Sequence, residues 1–401
     1  MSNTWCEQQF EYYLVRGKKK TSPEMEVGHR IHKDLEREDH ETVVVKPVTP
    51  EDRWGLKLLN IIQGLKNLRE TGQTRELPIF AYVNGVFVRG IIDELSYKKP
   101  IEMAHQKLKA KLATIDAETS GGGGAPKKRK ARTKSKPESI QKETGVANDV
   151  LSTPSRRVAF ISDYKTRARD SLPTASQFRG TELQLMLYHF ILTTMATSVE
   201  VAAKVFSGDS KTEPASTARS DLPDEDMFSR IFDLGGLNPS AHLSDCFLAE
   251  LASHFDESDS EMESGSPPQR LQIRFPTLSH LLESPTLAGL IHLLNLSFKM
   301  SIDTLSNTLG VSYRRQQDSA LFATKVVEYD NQRLEEHLVD VLQWWRGERG
   351  AVGVPIEEAW KCRSCEFADE CQWRLQKIEE IKAEKERERV LKLRKTTFAA
   401  W

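Results

Sequence analysis

The stretch Val158-Ala159-Phe160-Ile161-Ser162-Asp163-Tyr164-Lys165 decides the fold. Val158 to Ile161 reads as a short apolar strand that leads into Asp163-Tyr164-Lys165. Asp163 and Lys165 stand at i and i+2, and the period-two alternation of a strand puts both on one sheet face. Upstream, Ile79–Tyr82 and Val86–Ile92 are two β-rich runs joined by Asn84-Gly85, a strong short-range hairpin signal. The second run ends in Asp93 and Glu94. Helical periodicity flanks these strands. Leu58, Ile61, Ile62, Leu65 and Leu68 mark a helix over 56–69, and a longer one is predicted from about Thr181 to Ala196. Strands interleaved with helices predict an α/β fold.

The 401 residues carry 57 Lys plus Arg against 58 Asp plus Glu, with 38% hydrophobic residues. That length is ample for a hydrophobic core and leaves room for polar inserts. The near-zero total hides local imbalance: Pro126–Lys136 holds seven basic residues and no acid, and Asp256–Glu263 holds five acids and no base. A nucleic-acid partner is therefore compatible with the net charge. Four divisions are expected. Residues 1–97 give an N-terminal helical part and the first strands, and 98–155 a basic insertion unable to order itself. Residues 156–375 carry the rest of the core, with mobile segments near 207–226 and 254–269, and 376–401 a charged, solvated helix. Apolar runs such as Leu185–Leu187 are too short to span a bilayer, so no membrane partner is expected. A signal peptide is not apparent, although a targeting segment upstream of Cys6 is compatible with the abrupt start.

The chemistry-bearing residues converge on phosphate hydrolysis. Asp93 ends the strand expected beside Asp163, and two carboxylates at adjacent strand ends suit Mg²⁺ or Mn²⁺. Lys165 is placed to orient or deprotonate water and to offset charge on a phosphate. Gln184 and Tyr188 are four apart, on one helix face. On an N-terminal helix, Gly28, His32 and Glu36 share a face, with His32 a third candidate ligand. Five cysteines are present. Cys362-x2-Cys365-x5-Cys371 supplies three thiolates, a fourth must come from Cys6 or Cys246, and spacing alone leaves zinc and iron–sulfur open. Cys246 lies in Asp245-Cys246-Phe247-Leu248, which reads as a buried helical position.

Gly28-His29-Arg30-Ile31-His32, Gly90-Ile91-Ile92-Asp93, Ile161–Lys165 and Gln184–Tyr188 occur in an order that resembles the RecB-type branch of the PD-(D/E)xK nucleases. With Trp5-Cys6-Glu7 before them and Cys362–Trp373 after, the closest resemblance is to the exonuclease V family, over about residues 5–375. The resemblance implies a restriction-endonuclease-like mixed central sheet flanked by helices, with the termini joined by an iron–sulfur cluster. It implies that His32, Asp93 and Asp163 hold the divalent ion, that Lys165 assists the attacking water, and that Gln184 and Tyr188 support the site. A second ion would need Glu36, Glu94 or substrate oxygens. By the same resemblance Cys6, Cys362, Cys365 and Cys371 hold a [4Fe–4S] cluster as a structural staple.

The implied activity is Mg²⁺-dependent, end-requiring exonucleolytic hydrolysis of single-stranded DNA to short oligonucleotides, in DNA repair or genome maintenance. A monomer is expected, alone or with a single-strand-binding protein. Arg314, Arg315, Trp344 and Trp345 are further candidates for strand contact. The Lys127-Lys128-Arg129-Lys130 run fits a nuclear localisation signal or a DNA-binding tail, and the resemblance extends to mitochondrial members of the family, so nucleus and/or mitochondrion is expected. Gly-x4-Gly-Lys-Ser/Thr does not occur, so no fused ATP-driven helicase is indicated. Two rival readings are a noncatalytic metal-stapled DNA-binding scaffold and an iron–sulfur DNA glycosylase. The hairpin and the Asp163–Lys165 strand argue against the glycosylase.

Overall fold

A computed structural model describes residues 6–17, 26–28, 30–31, 45–101, 156–207, 227–255 and 278–398. The chain begins with α1 (Glu7–Arg16) and α2 (Pro50–Thr71). Helix α2 starts where Thr49 and Asp52 exchange side-chain and backbone hydrogen bonds, a capping box with Pro50 at the first turn. Strands β1 (Gln73–Val83) and β2 (Val86–Ser96) follow as an antiparallel hairpin. Asn84 (φ 48°) and Gly85 (φ 81°) both adopt left-handed backbone at its turn, the conformation that matches strand twist and that Asn-Gly tolerates best.

Strand β3 (Val158–Arg167) runs further than the predicted apolar segment, carrying Asp163 and Lys165 within it rather than after it. Helix α3 (Ala175–Phe206) is likewise twice the predicted length, opened by a second capping box at Thr174 and Gln177. It is long and apolar enough to cross a membrane by length and composition, yet 61% of its most apolar window is buried within the fold. Then come α4 (Met227–Gly235), α5 (Asp245–Phe255), α6 (Leu278–Glu283) and α7 (Leu287–Ser301). Strands β4 (Thr304–Leu305), β5 (Thr308–Arg315) and β6 (Leu321–Glu328), then α8 (Asn331–Trp345), a 3-10 helix at Ile356–Ser364 and α9 (Gln372–Phe398) complete the chain.

The sheet is mixed, in the order β1-β2-β3-β5-β6, with β4 paired to β3. β3 and β5 are parallel; the other neighbours along the path are antiparallel. Helices α2 and α3 each pack on α7, and both also pack on β1. Leu58, Ile61, Leu65 and Leu68 are fully buried there.

Two expectations need correction. β5 is a central strand that sequence reading passed over. Leu309, Val311 and Tyr313 alternate inward, all at most 1% exposed. Gly310 interrupts the β-branched pattern because a Cβ there would sit 2.8 Å from Pro100 Cβ and 2.9 Å from Ser162 Oγ. Cys246 is exposed, not buried. It follows the first residue of α5, and the inward positions of that helix are Phe247 and Leu251. The expected insertion at 98–155 lies outside the described residues from 102 onward, as do residues 208–226 and 256–277 of the two acidic segments.

Candidate active site

β1 and β2 pair from Gln73↔Ser96 to Val83↔Val86, skipping only Glu76 (φ 50°) and Asp93, whereas β2 and β3 pair only over Glu94↔Ser162, Leu95↔Ile161 and Ser96↔Phe160. Beyond Glu94 the two strands part, and Asp93 and Asp163 stand where they do. The carboxylate of Asp93 closes the last rung: its Oδ2 accepts the Tyr164 backbone N–H at 2.9 Å. A side chain thus takes over where the ladder ends, fixing the spread of the fork.

Asp163 is 1% exposed, and Lys165 Nζ lies 3.0 Å from its Oδ1 and 2.9 Å from its Oδ2. Only the Oδ1 contact has hydrogen-bond geometry; Oδ2 is buried with no hydrogen bond among the described residues. Burial pulls the Lys165 ammonium down, but Asp163 and Asp93 outweigh it and hold its pKa above the ordinary lysine value. The shared face expected from the i, i+2 strand pattern is therefore a charged contact between a buried carboxylate and a half-buried ammonium.

From α3, Gln184 Nε2 donates to Tyr188 OH at 2.8 Å. Burial pushes the Tyr188 phenol up; the Gln184 hydrogen bond opposes this and the Asp93 and Asp163 charges reinforce it. Its ring packs on Gly90 so closely that a Cβ there would lie 2.8 Å from the ring edge. Glycine at 90 is thus what lets α3 approach the fork.

His32 and Glu36 lie outside the described residues. The helical stretch that precedes them does reach the end of β3: a Cβ on Gly28 would lie 3.2 Å from Thr166 Oγ1. Among the described residues no group of three or more His, Cys, Asp or Glu is arranged to hold a metal ion. The donor set at the fork nevertheless fits a hard divalent cation, with two carboxylates in one cleft and an oxygen of Asp163 left without a donor.

Glu94 is already engaged. Its Oε2 accepts the Tyr164 hydroxyl and lies 3.5 Å from Arg75. Arg75 and Arg314 lie over the Tyr164 ring at 5.3 and 5.0 Å. Sequence reading missed this layer, because its members come from four different strands. Arg315 is paired with Asp170 and Asp318, and Trp344 and Trp345 pack edge-on against Phe10 of α1. Trp345 nevertheless keeps half of its surface exposed.

The four cysteines of the expected cluster line one pocket together with Gln9 and Trp373. Cys6 caps α1, its sulfur accepting Gln9 N–H at 3.4 Å, and Gln9 Nε2 reaches Cys365 Sγ at 3.6 Å. Burial pushes the Cys6 thiol up to about 11; the Gln9 hydrogen bond opposes this, and the other three sulfurs add to it. Four sulfur donors from opposite ends of the chain line this one pocket, the donor chemistry of a thiolate-bound group, although they are not drawn together here as a ready ligand set. The ends also hold one another without it. Arg349 forks onto both oxygens of Glu7 at 2.6 and 2.7 Å, Val352 N–H adds a third bond, and Tyr13 and Arg16 pair with Glu366 and Glu370.

Comparison with known proteins gives the family. Residues 1–374 match the family model described as "Exonuclease V - a 5' deoxyribonuclease". The chain is 24% identical over 379 residues to "Exonuclease V" of Danio rerio, covering 92% of this chain and 68% of that protein. It is 32% identical over 87 residues to "Exonuclease V, mitochondrial" of Candida dubliniensis, covering 22% of this chain and 14% of that protein. A family match extending over nearly the whole chain means that it belongs to the exonuclease V family, and so to the nucleases that hydrolyse DNA.

Proposed function

We propose that this chain is a divalent-metal-dependent exonuclease for single-stranded DNA, of PD-(D/E)xK type, acting in DNA repair or genome maintenance. The observation that carries the reading is the fork: Asp93 and Asp163 meet where β2 leaves β3, with Lys165 bound to the buried Asp163. Asp93, Asp163 and His32 would hold the ion. A bound Mg²⁺ or Mn²⁺ supplies Lewis-acid polarisation of the scissile phosphate and lowers the pKa of water. Lys165 orients the attacking water and offsets charge building on the phosphoryl oxygens. Asp163 keeps Lys165 in place, and the Gln184–Tyr188 pair confines the cleft on the α3 side.

Cys6, Cys362, Cys365 and Cys371 would hold a [4Fe–4S] cluster, tying the first described helix to the C-terminal segment. That role is structural, since the pocket lies among residues that already join the chain ends. The 5′ polarity follows the family description. Action in mitochondria is supported by the printed name of the Candida relative. Residues 127–130, the basis for a nuclear location, lie outside the described residues. We take the working unit to be a monomer, with a single-strand-binding protein as an optional partner.

The test uses anaerobically purified protein with end-labelled linear and circular single strands, Mg²⁺ or EDTA, and Asp163→Ala in parallel. Shortening of linear strands only, lost with EDTA and in the variant, is the expected result. Metal-independent cutting, or full activity in Asp163→Ala, would discard this site. A folded, cluster-loaded protein that leaves all DNA intact would favour the noncatalytic scaffold. Iron and sulfide analysis of the same sample distinguishes a cluster from zinc.

A further inference from the structure

The hairpin arm beyond the fork carries a feature that the cleft does not use. Along β2, Phe87, Arg89 and Ile91 are exposed at alternate positions, and Asp93 is next in the same series. Phe87 and Ile91 are 40% and 49% exposed, unusual for large apolar side chains in a strand of the central sheet. On α2, the Lys57 ammonium sits 4.1 Å from the centre of the Trp54 ring. Trp54 packs edge-on against Phe80, whose ring also meets Phe87. An aromatic and basic strip therefore runs from the α2 surface across the hairpin and down β2 to the candidate metal ligand.

Its charges are unbalanced. Lys57 and Arg89 make no ion pair among the described residues, while Arg157, Arg333 and Arg349 are each matched by a carboxylate. Burial against the ring, then the neighbouring positive charge of Arg89, pulls the Lys57 pKa below its ordinary value. Two cations that repel each other without a counter-ion constitute a site for an anion. The exposed Phe87 ring beside them suits a base, which stacks without regard to sequence. The spacing is compatible: at about 3.4 Å per residue, Arg89 and Phe87 stand about 14 and 20 Å along the strand from Asp93, a span of a few nucleotides.

We infer that the outer face of β2, with Lys57 and Trp54 of α2, is a track for the single DNA strand on its way to the fork: Lys57 and Arg89 take phosphates, and Phe87 stacks on a base. This inference rests on the proposed nuclease function and adds a binding subsite remote from the chemistry. A solvated cation–aromatic cluster with no ligand is the competing explanation, and such clusters are common on protein surfaces.

The test compares wild type, Lys57→Glu/Arg89→Glu and Phe87→Ala, all exposed positions, after thermal melting confirms that the variants fold. Binding of fluorescent oligo(dT) is followed by anisotropy in EDTA across a salt series. Hydrolysis of the p-nitrophenyl ester of thymidine 5′-phosphate, too small to reach the arm, is followed with Mg²⁺. The double variant is expected to bind at least about tenfold more weakly, with a salt slope flatter by about 1.4, at roughly 0.7 per lost phosphate contact on a single strand. Phe87→Ala is expected to lose about tenfold at an unchanged slope. Both should hydrolyse the small ester at the wild-type rate. Wild-type affinity and slope in the double variant, with wild-type cleavage of DNA intact, would overturn the track alone. A wild-type chain that neither binds nor cuts the strand would overturn both the track and the nuclease assignment.

Discussion

The fork and the cysteine pocket solve the same problem, holding several ligands in one place, by opposite means. At the fork, Asp93, Asp163 and Lys165 are positioned by the ladder of a central sheet, so their geometry follows from strand register. At the pocket, Cys6 faces Cys365 and Cys371 across more than 350 positions of sequence, and side-chain pairs such as Glu7–Arg349 supply the alignment. Backbone-positioned ligands are hard to move and easy to disable. Side-chain-positioned ligands depend on closing a very long loop, and that is where a bound group contributes most to folding.

Reciprocal substitutions sharpen this contrast most. Asp163→Asn is expected to lower DNA cleavage at least about a thousandfold with the melting temperature little changed, because the amide keeps the size of the carboxylate and Asp93 still offsets the Lys165 charge. Cys371→Ser is expected to do the reverse in kind, lowering iron content and melting temperature together. Equal losses of stability in both variants would erase the distinction between the two regions.

Acid should act on the core between them. His189 in α3 is 7% exposed, stacks on Tyr329, and among the described residues has no hydrogen-bond partner for either ring nitrogen. Burial lowers its pKa from 6.5 to about 4. The unfolded chain therefore binds the proton first. This contribution to stability is complete above pH 6.5 and is lost as pH falls from there towards 4, by at most about 3 kcal/mol. Denaturant titrations of wild type and His189→Gln across that window measure it; parallel curves would exclude His189 as the cause.

Arg349→Ala removes the fork onto Glu7 and leaves that carboxylate partly buried. A loss of about 1–3 kcal/mol is expected, seen as faster hydrogen exchange in α1 with the β-sheet unaffected. Exchange that rises equally in β3 would show the clasp and the fork to be one unit. The smallest effect is expected from Gly85→Ala at the hairpin turn, about 1 kcal/mol for forcing a side chain into left-handed backbone, with cleavage of the small ester unchanged.

Legibility followed the reach of each interaction in sequence. The Asn84-Gly85 turn, the Asp163/Lys165 alternation and the Gln184/Tyr188 spacing are set by local geometry, and the structure brings all three pairs together as their spacing implies. β5 escaped because Gly310, there to admit Pro100 and Ser162, breaks the pattern of a strand whose identity depends on its neighbours. Cys246 was assigned inward from apolar neighbours, but the face of a short helix turns on a single residue of phase. The Arg75–Glu94–Tyr164–Arg314 layer has no linear signature at all. At the fork, the strand alternation indicates which residues share a face; only the strand separation after Glu94 shows why a cleft opens there.

The short ladder between β2 and β3 also bears on how this protein can vary. Ser96 and Phe160 are paired, yet sixty-odd positions of chain separate them, and that connection leaves the sheet at the end away from the cleft. Doubling the length of such a connection costs only about 0.6 kcal/mol in closure entropy. A change of length there leaves untouched the pairing that sets Asp93 and Asp163 at the parting of the strands. For the engineer, the same junction offers a place to graft a fluorophore, a tether or a second domain, or to cut the polypeptide into two halves that reassemble along their shared strands.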